Sequence, residues 1–144
     1  MPSIVIVGGK LQGSEAAYLG REAGIEVVLI DRDPQAPARR LCTKFICGDV
    51  LSDDPEVLEA LERADMILPT MENDGVLEGL DRICRERGYV LAFDWEAYKI
   101  SSSKRISPAF CRQQVAVPSL LSPRQSALYR QARFGKRQPW RSIL

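Results

Sequence analysis

The stretch that most constrains the fold runs from Ser3 to Ala23, where a strand-like run, a glycine turn and a helical pattern follow one another directly. Ser3-Ile4-Val5-Ile6-Val7 is short, apolar and β-branched, as expected of a strand buried on both faces of a parallel sheet. Gly8-Gly9-Lys10-Leu11-Gln12-Gly13 comes next, and Ser14-Glu15-Ala16-Ala17-Tyr18-Leu19 opens a helical pattern. Glycines permit a tight turn and let a ligand approach the backbone, while a helix N-terminus offers free N–H groups and a partial positive charge. That geometry suits a phosphate or a carboxylate. The spacing fits neither standard phosphate fingerprint. A dinucleotide motif needs glycine where Lys10 stands, and a P-loop needs Gly-Lys-Ser/Thr where this chain has Gly13-Ser14-Glu15. The stretch reads as a nucleotide-type α/β opening with a lysine built into the turn, or as a tight turn that binds nothing.

The pattern then repeats. Gly24 is placed to close the first helix in the left-handed conformation, and Glu26-Val27-Val28-Leu29-Ile30-Asp31 is a second buried strand ending on an acid. An acid there holds ribose hydroxyls in doubly wound folds, or it caps the turn ahead of Asp33-Pro34. Residues 34–40 form a short helix or loop, and Thr43-Lys44-Phe45-Ile46-Cys47 is a third strand leading to Gly48-Asp49. Ser52-Asp53-Asp54-Pro55-Glu56 reads as a cap with proline in the first helical turn. Ala64-Asp65-Met66-Ile67-Leu68-Pro69 is a fourth strand, and a helix follows through Val76, Leu80 and Ile83 to Gly88. Tyr89-Val90-Leu91-Ala92-Phe93 is expected as a fifth strand, Asp94 as the cap of a short helix, and Ser101 as the start of another segment. Strands alternating with helices at this pitch predict an α/β fold, a Rossmann-like open parallel sheet with helices on both faces. Ligands of such sheets sit outside the carboxyl ends of the strands. Lys10, Asp31, Asp49 and Glu72 all fall at those ends.

Composition narrows the chemistry. The 144 residues, 45% of them hydrophobic, suffice for one compact domain. No apolar run approaches the roughly 20 residues that span a bilayer, and Ile4–Val7 is too short for a signal sequence, so a cytoplasmic protein with no membrane partner is expected. There is no histidine, and Cys42, Cys47, Cys84 and Cys111 form no C-x-x-C pair. Histidine-based acid–base catalysis is excluded, structural zinc is disfavoured, and the isolated thiols are expected to be small core residues.

The glycine turn, together with Glu15-Ala16-Ala17-Tyr18-Leu19, Val27-Val28-Leu29-Ile30-Asp31, Asp33-Pro34-Gln35-Ala36, Leu68-Pro69, Glu72-Asn73 and Phe93-Asp94-Trp95-Glu96-Ala97-Tyr98, resembles the start of the pyrrolysine-biosynthesis ligases. The likeness continues through Ile100-Ser101 and Ser103-Lys104 to about Pro118. These are ATP-grasp enzymes that join 3-methyl-D-ornithine to the ε-amine of L-lysine. The resemblance implies that residues 1–118 are a pre-ATP-grasp domain, like the N-terminal domain of biotin carboxylase. It places Lys10, Asp31, Gly48, Asp49 and Lys104 at ATP, and Leu11, Gln12 and Glu72 at the lysine substrate, with Glu72 pairing an ammonium group. It also implies an acyl-phosphate route that uses Mg2+, with the magnesium ligands in domains that have no counterpart here, and no catalytic residue in this chain. The family tends to carry Asp where Ser103 precedes Lys104, a departure beside one nucleotide contact. Full-length relatives of this fold often pair, which leaves a homodimer open.

The remaining residues differ in kind. All 19 acids lie within the first 96 residues, whereas half of the 20 bases lie beyond them. From Ser119 onward the chain is rich in Arg, Ser, Gln and Pro, without strand alternation or an amphipathic helix, so residues 119–144 are expected to be a basic tail of low order. The codons for Leu128-Tyr129-Arg130-Gln131-Ala132-Arg133, read one base later, permit Tyr-Ile-Val-Lys-Pro followed by a Ser/Gly-rich stretch. An ATP-grasp central domain begins in that way, so a frameshift after Pro118 is expected, leaving an N-terminal fragment inactive alone. The competing readings are a stand-alone module binding lysine or a nucleotide without catalysis, a Rossmann dehydrogenase domain that Lys10 disfavours, and a nucleic-acid binder, for which the tail shows no recognisable binding fold.

Overall fold

The computed structural model describes residues 1–102, of which residues 1–99 form one compact unit. Four parallel strands make its sheet: β1 (Ser3–Val7), β2 (Glu26–Asp31), β3 (Lys44–Cys47) and β4 (Met66–Pro69). They lie in the order β3-β2-β1-β4. Helices α1 (Leu11–Glu22), α2 (Pro55–Arg63), α3 (Asp74–Arg87) and α4 (Trp95–Ser102) complete the described chain, with a short 3₁₀ turn at Pro37–Arg40.

Alternation along β1 divides the core. Ile4 and Ile6 pack with Ala17 of α1 and with Val27, Leu29 and Ala38 on one face. Val5 and Val7 pack with Ile30, Ile46, Val57 and Leu61, and with Val76, Leu80 and Cys84 of α3, on the other. Successive strand residues point to opposite faces, so an unbroken apolar run serves both layers at once. Each fully buried side chain contributes about 1.5–3 kcal/mol.

The helix ends follow their sequence signals. Asp54 caps α2 by accepting from the Glu56 N–H at 2.9 Å, ahead of Pro55. Asn73 caps α3 by accepting from Val76, and Gly88 ends it in the left-handed conformation (φ +74°). Gly24 (φ +71°) turns the chain after α1 in the same way.

Four expectations need correction. The first helix begins at Leu11 rather than Ser14, because the Ser14 N–H already bonds the Lys10 carbonyl at 2.8 Å. Gly13 reads as a turn residue in sequence, but it is needed inside the helix, where a Cβ would overlap the Gly8 carbonyl oxygen. The fifth strand is reduced to a single bridge between Ile67 and Leu91. The Ile67 N–H bonds Val90 and the Ala92 N–H bonds Ile67, but the next donor on β4 would be Pro69, which has no N–H. Ser101 starts no new segment, since α4 runs on through Ser102. Lys104, Cys111 and the expected boundary at Pro118 lie outside the described residues.

The cysteines part company too. Cys84 is in the core, where burial and then the Asp81 charge push its thiol up, whereas Cys47 is exposed. Alkylation requires the thiolate, so iodoacetamide at pH 8 should modify Cys47 well ahead of Cys84 in the native chain. Peptide mass mapping over time reads that order, and equal rates would contradict this packing.

Candidate functional site

The strands all end on one edge of the sheet. After β1 the chain turns one way through β2 to β3, and then returns to place β4 on the other side of β1. Between β1 and β4 the topology reverses, and there the loops diverge to leave a crevice. The cleft at that point has a volume of about 610 Å³. Small-molecule sites typically run from roughly 300 to 1,000 Å³.

The glycine turn forms the wall beside β1. Gly8 adopts φ +100°, which a side chain would strain. The Asp31 carboxylate fixes this turn from the end of β2. Its Oδ2 accepts from the Gly9 N–H at 2.5 Å and its Oδ1 from the Asp33 N–H at 2.8 Å. Asp31 was open between a ribose ligand and a cap, and its two backbone bonds give it a structural task whether or not a ligand is bound. Thr70, at the end of β4, holds the turn from the opposite side, donating to the Gly8 carbonyl at 2.6 Å. Lys10 stands at the N-cap of α1 and makes no side-chain capping bond, so no side chain of the cap takes up the first-turn N–H groups, and Lys10, Leu11 and Gln12 line the cleft.

Lys10, Leu11, Gln12, Asp31, Gly48, Asp49 and Glu72 all line this one cleft. Seven of the eight expected site residues are thus brought together, and the eighth, Lys104, lies outside the described residues. The floor is apolar, from Val7, Ile30, Val50 and Val76. The rim is charged.

Arg32 was missed by the sequence reading. It lines the cleft beside Asp31, and its guanidinium lies 3.8 Å from the Asp49 carboxylate, with both side chains largely in water. An exposed pair of this kind contributes about 0–1 kcal/mol, so an incoming anion could take Arg32 at little cost. A base directly after the acid of strand two was the available signal. Asp49 itself is oriented by the Leu51 N–H, which donates to its Oδ1 at 3.0 Å. Among the described residues no cluster of three or more His, Cys, Asp or Glu could hold a metal ion. No helix among them is long and apolar enough to cross a membrane.

The chain is 42% identical over 119 residues to the 3-methyl-D-ornithine–L-lysine ligase of Methanosarcina barkeri, a match that takes in 83% of this chain. The chain resembles the N-terminal domain of these ligases. The Methanosarcina acetivorans ligase is 40% identical over the same length. The chain spans about a third of the length of these curated relatives, 32% in both cases. No family model matches.

Solved structures agree on the fold. The N5-carboxyaminoimidazole ribonucleotide synthetase of Thermotoga maritima superposes with a TM-score of 0.60 at 19% identity, covering 78% of this chain and 31% of that one. The Staphylococcus aureus synthetase, solved in complex with ADP, gives 0.61 at 21% identity, covering 78% and 30%. The open parallel α/β architecture read from the sequence is therefore the one the structure has. Along this span the chain is similar to ligases in sequence, and the solved synthetases share its fold.

The cleft depends on close backbone approach, and one pair of substitutions tests that. Gly13→Ala should lower stability by about 1–3 kcal/mol, because the new methyl meets the Gly8 carbonyl. Gly48→Ala, whose Cβ would meet nothing nearer than 3.7 Å, should stay within about 0.5 kcal/mol. Urea denaturation midpoints of the two variants provide the measurement.

Proposed function

We propose that this chain is the N-terminal part of an ATP-dependent ligase that joins 3-methyl-D-ornithine to the ε-amine of L-lysine, and that its cleft is half of the active site. One observation carries the reading: seven of the eight residues that the ligase resemblance assigns to nucleotide and lysine line a single cleft at the reversal point of the sheet. In this reading Lys10 and the first-turn N–H groups of α1 meet nucleotide phosphate, and Asp31, Gly48 and Asp49 border the rest of the nucleotide. Lys104 would reach phosphate from beyond α4. Leu11, Gln12 and Glu72 face lysine, and the Glu72 carboxylate neutralises its ammonium, since a cation leaving water needs an anionic partner.

ATP would convert the methylornithine carboxylate to an acyl phosphate, and the lysine amine would displace the phosphate. The residues that hold magnesium and clamp the triphosphate would belong to the part of the relatives that this chain does not match. The residues described here bind and orient substrate, and none supplies a nucleophile. The chain alone would then be inactive. A stand-alone binding module is the weaker reading, because the relatives that match this span at 40–42% identity are ligases. Residues 119–144 would be the out-of-frame continuation of the gene, and translation of the neighbouring frame should give an ATP-grasp central domain. An empty frame would remove that part of the proposal.

A chimaera tests the substrate assignment. Residues 1–118 of this chain should replace the matching third of the Methanosarcina barkeri ligase with ATP-dependent ligation retained. In that chimaera Glu72→Gln should raise the KM for lysine about tenfold or more and leave the KM for ATP unchanged. An unchanged lysine KM would remove Glu72 from the lysine site.

A further inference from the structure

The Phe93-Asp94-Trp95-Glu96-Ala97-Tyr98 run plays no part in the cleft as described so far, yet its aromatic rings form one group. The Tyr98 ring lies 5.3 Å from Phe93 at a tilted angle, and stacks on Trp95 at 5.8 Å and 22°. From this support the Tyr98 hydroxyl donates to Asp74 Oδ1 at 3.1 Å. Asp74 is the first residue of α3, two positions after Glu72.

Glu72 therefore sits on a connector, Thr70 to Asn73, that is tied at both ends. At its start Thr70 donates through its hydroxyl to the Val7 and Gly8 carbonyls, and through its N–H to Val7. At its far end Asn73 caps α3, and Asp74 is held by Tyr98. The first tie fixes the connector to the glycine turn, and the second fixes it to α4. A carboxylate that must meet a ligand cation gains from such restraint, because the cost of ordering it is met before binding.

We infer that Tyr98 is a positioning residue, whose hydroxyl, braced by Phe93 and Trp95, holds the β4–α3 connector so that Glu72 stays in the cleft. The inference rests on the proposed role of Glu72 only for its consequence in lysine binding. Burial, the bond to Asp74, and the Asp74 and Glu72 charges, in that order, push the Tyr98 phenol above its ordinary pKa. The hydroxyl thus remains a donor throughout the neutral range.

Tyr98→Phe keeps the ring and its stacking and removes only the hydroxyl, so the variant tests the tie without emptying the aromatic group. The experiment compares the full 144-residue chain with Tyr98→Phe, Glu72→Gln and the double variant. Amide hydrogen exchange is followed residue by residue, and L-lysine binding is followed by calorimetry. Exchange across residues 70–76 should accelerate about tenfold in Tyr98→Phe, while β1 and β2 amides and the unfolding midpoint stay as they were. Lysine affinity should fall about tenfold, and Tyr98→Phe should add nothing once Glu72 is already Gln. Unchanged exchange across residues 70–76 would overturn the inference. Faster exchange there, with lysine binding absent from the parent chain or unaffected by Glu72→Gln, would support Tyr98 as the tie and contradict the lysine reading of Glu72.

Discussion

The bond between the Asp31 carboxylate and the Gly9 N–H is the constraint on which the cleft depends. It joins the end of β2 to the turn that follows β1, and the second oxygen of the same carboxylate holds the Asp33 N–H. Hydrogen bonds to a charged group contribute about 1.5–3 kcal/mol each, more than an exposed ion pair such as Arg32–Asp49. With the turn fixed, α1 can bring Gly13 against the Gly8 carbonyl, and Thr70 can close on Gly8 from β4. Three strands are thereby referenced to two glycines. The walls of the cleft are set by backbone, and the side chains on its rim inherit their positions from it.

The parallel sheet was legible because its signals are local and repeated. Apolar β-branched runs, a capping Asp before proline, and Gly88 after a helix each specify their element without help from distant residues. The misreadings came where a distant partner decided the outcome. Gly13 looks like turn material until the Gly8 carbonyl is placed beside it. Tyr89–Phe93 is as β-prone as any strand here, yet its ladder stops because the neighbouring strand offers Pro69 in place of a donor. Cys47, in a strand, looks like core until the outward face of β3 is known.

The site was legible in outline for a topological reason. In an open parallel sheet every strand delivers its last residue to one edge, so Lys10, Asp31, Asp49 and Glu72 could be gathered from sequence order alone. What sequence order could not supply was how those residues are held. Arg32 became visible only when β2 and β3 brought it opposite Asp49. The second bond of Asp31 and the tie from Tyr98 to Asp74 likewise depend on loops whose paths no periodicity encodes. Residues that touch a ligand sit where topology puts them, whereas the residues that support them are found through tertiary contact.

The central claim is that one cleft at the carboxyl edge receives both nucleotide and lysine. The most direct measurement is a ¹⁵N-labelled amide map of the chain, titrated with ATP and then with L-lysine. The account predicts that ATP moves the resonances of Gly8, Lys10, Asp31, Gly48 and Asp49, and that lysine moves those of Leu11, Gln12 and Glu72. Shifts confined to other parts of the molecule, or none with either ligand, would contradict it.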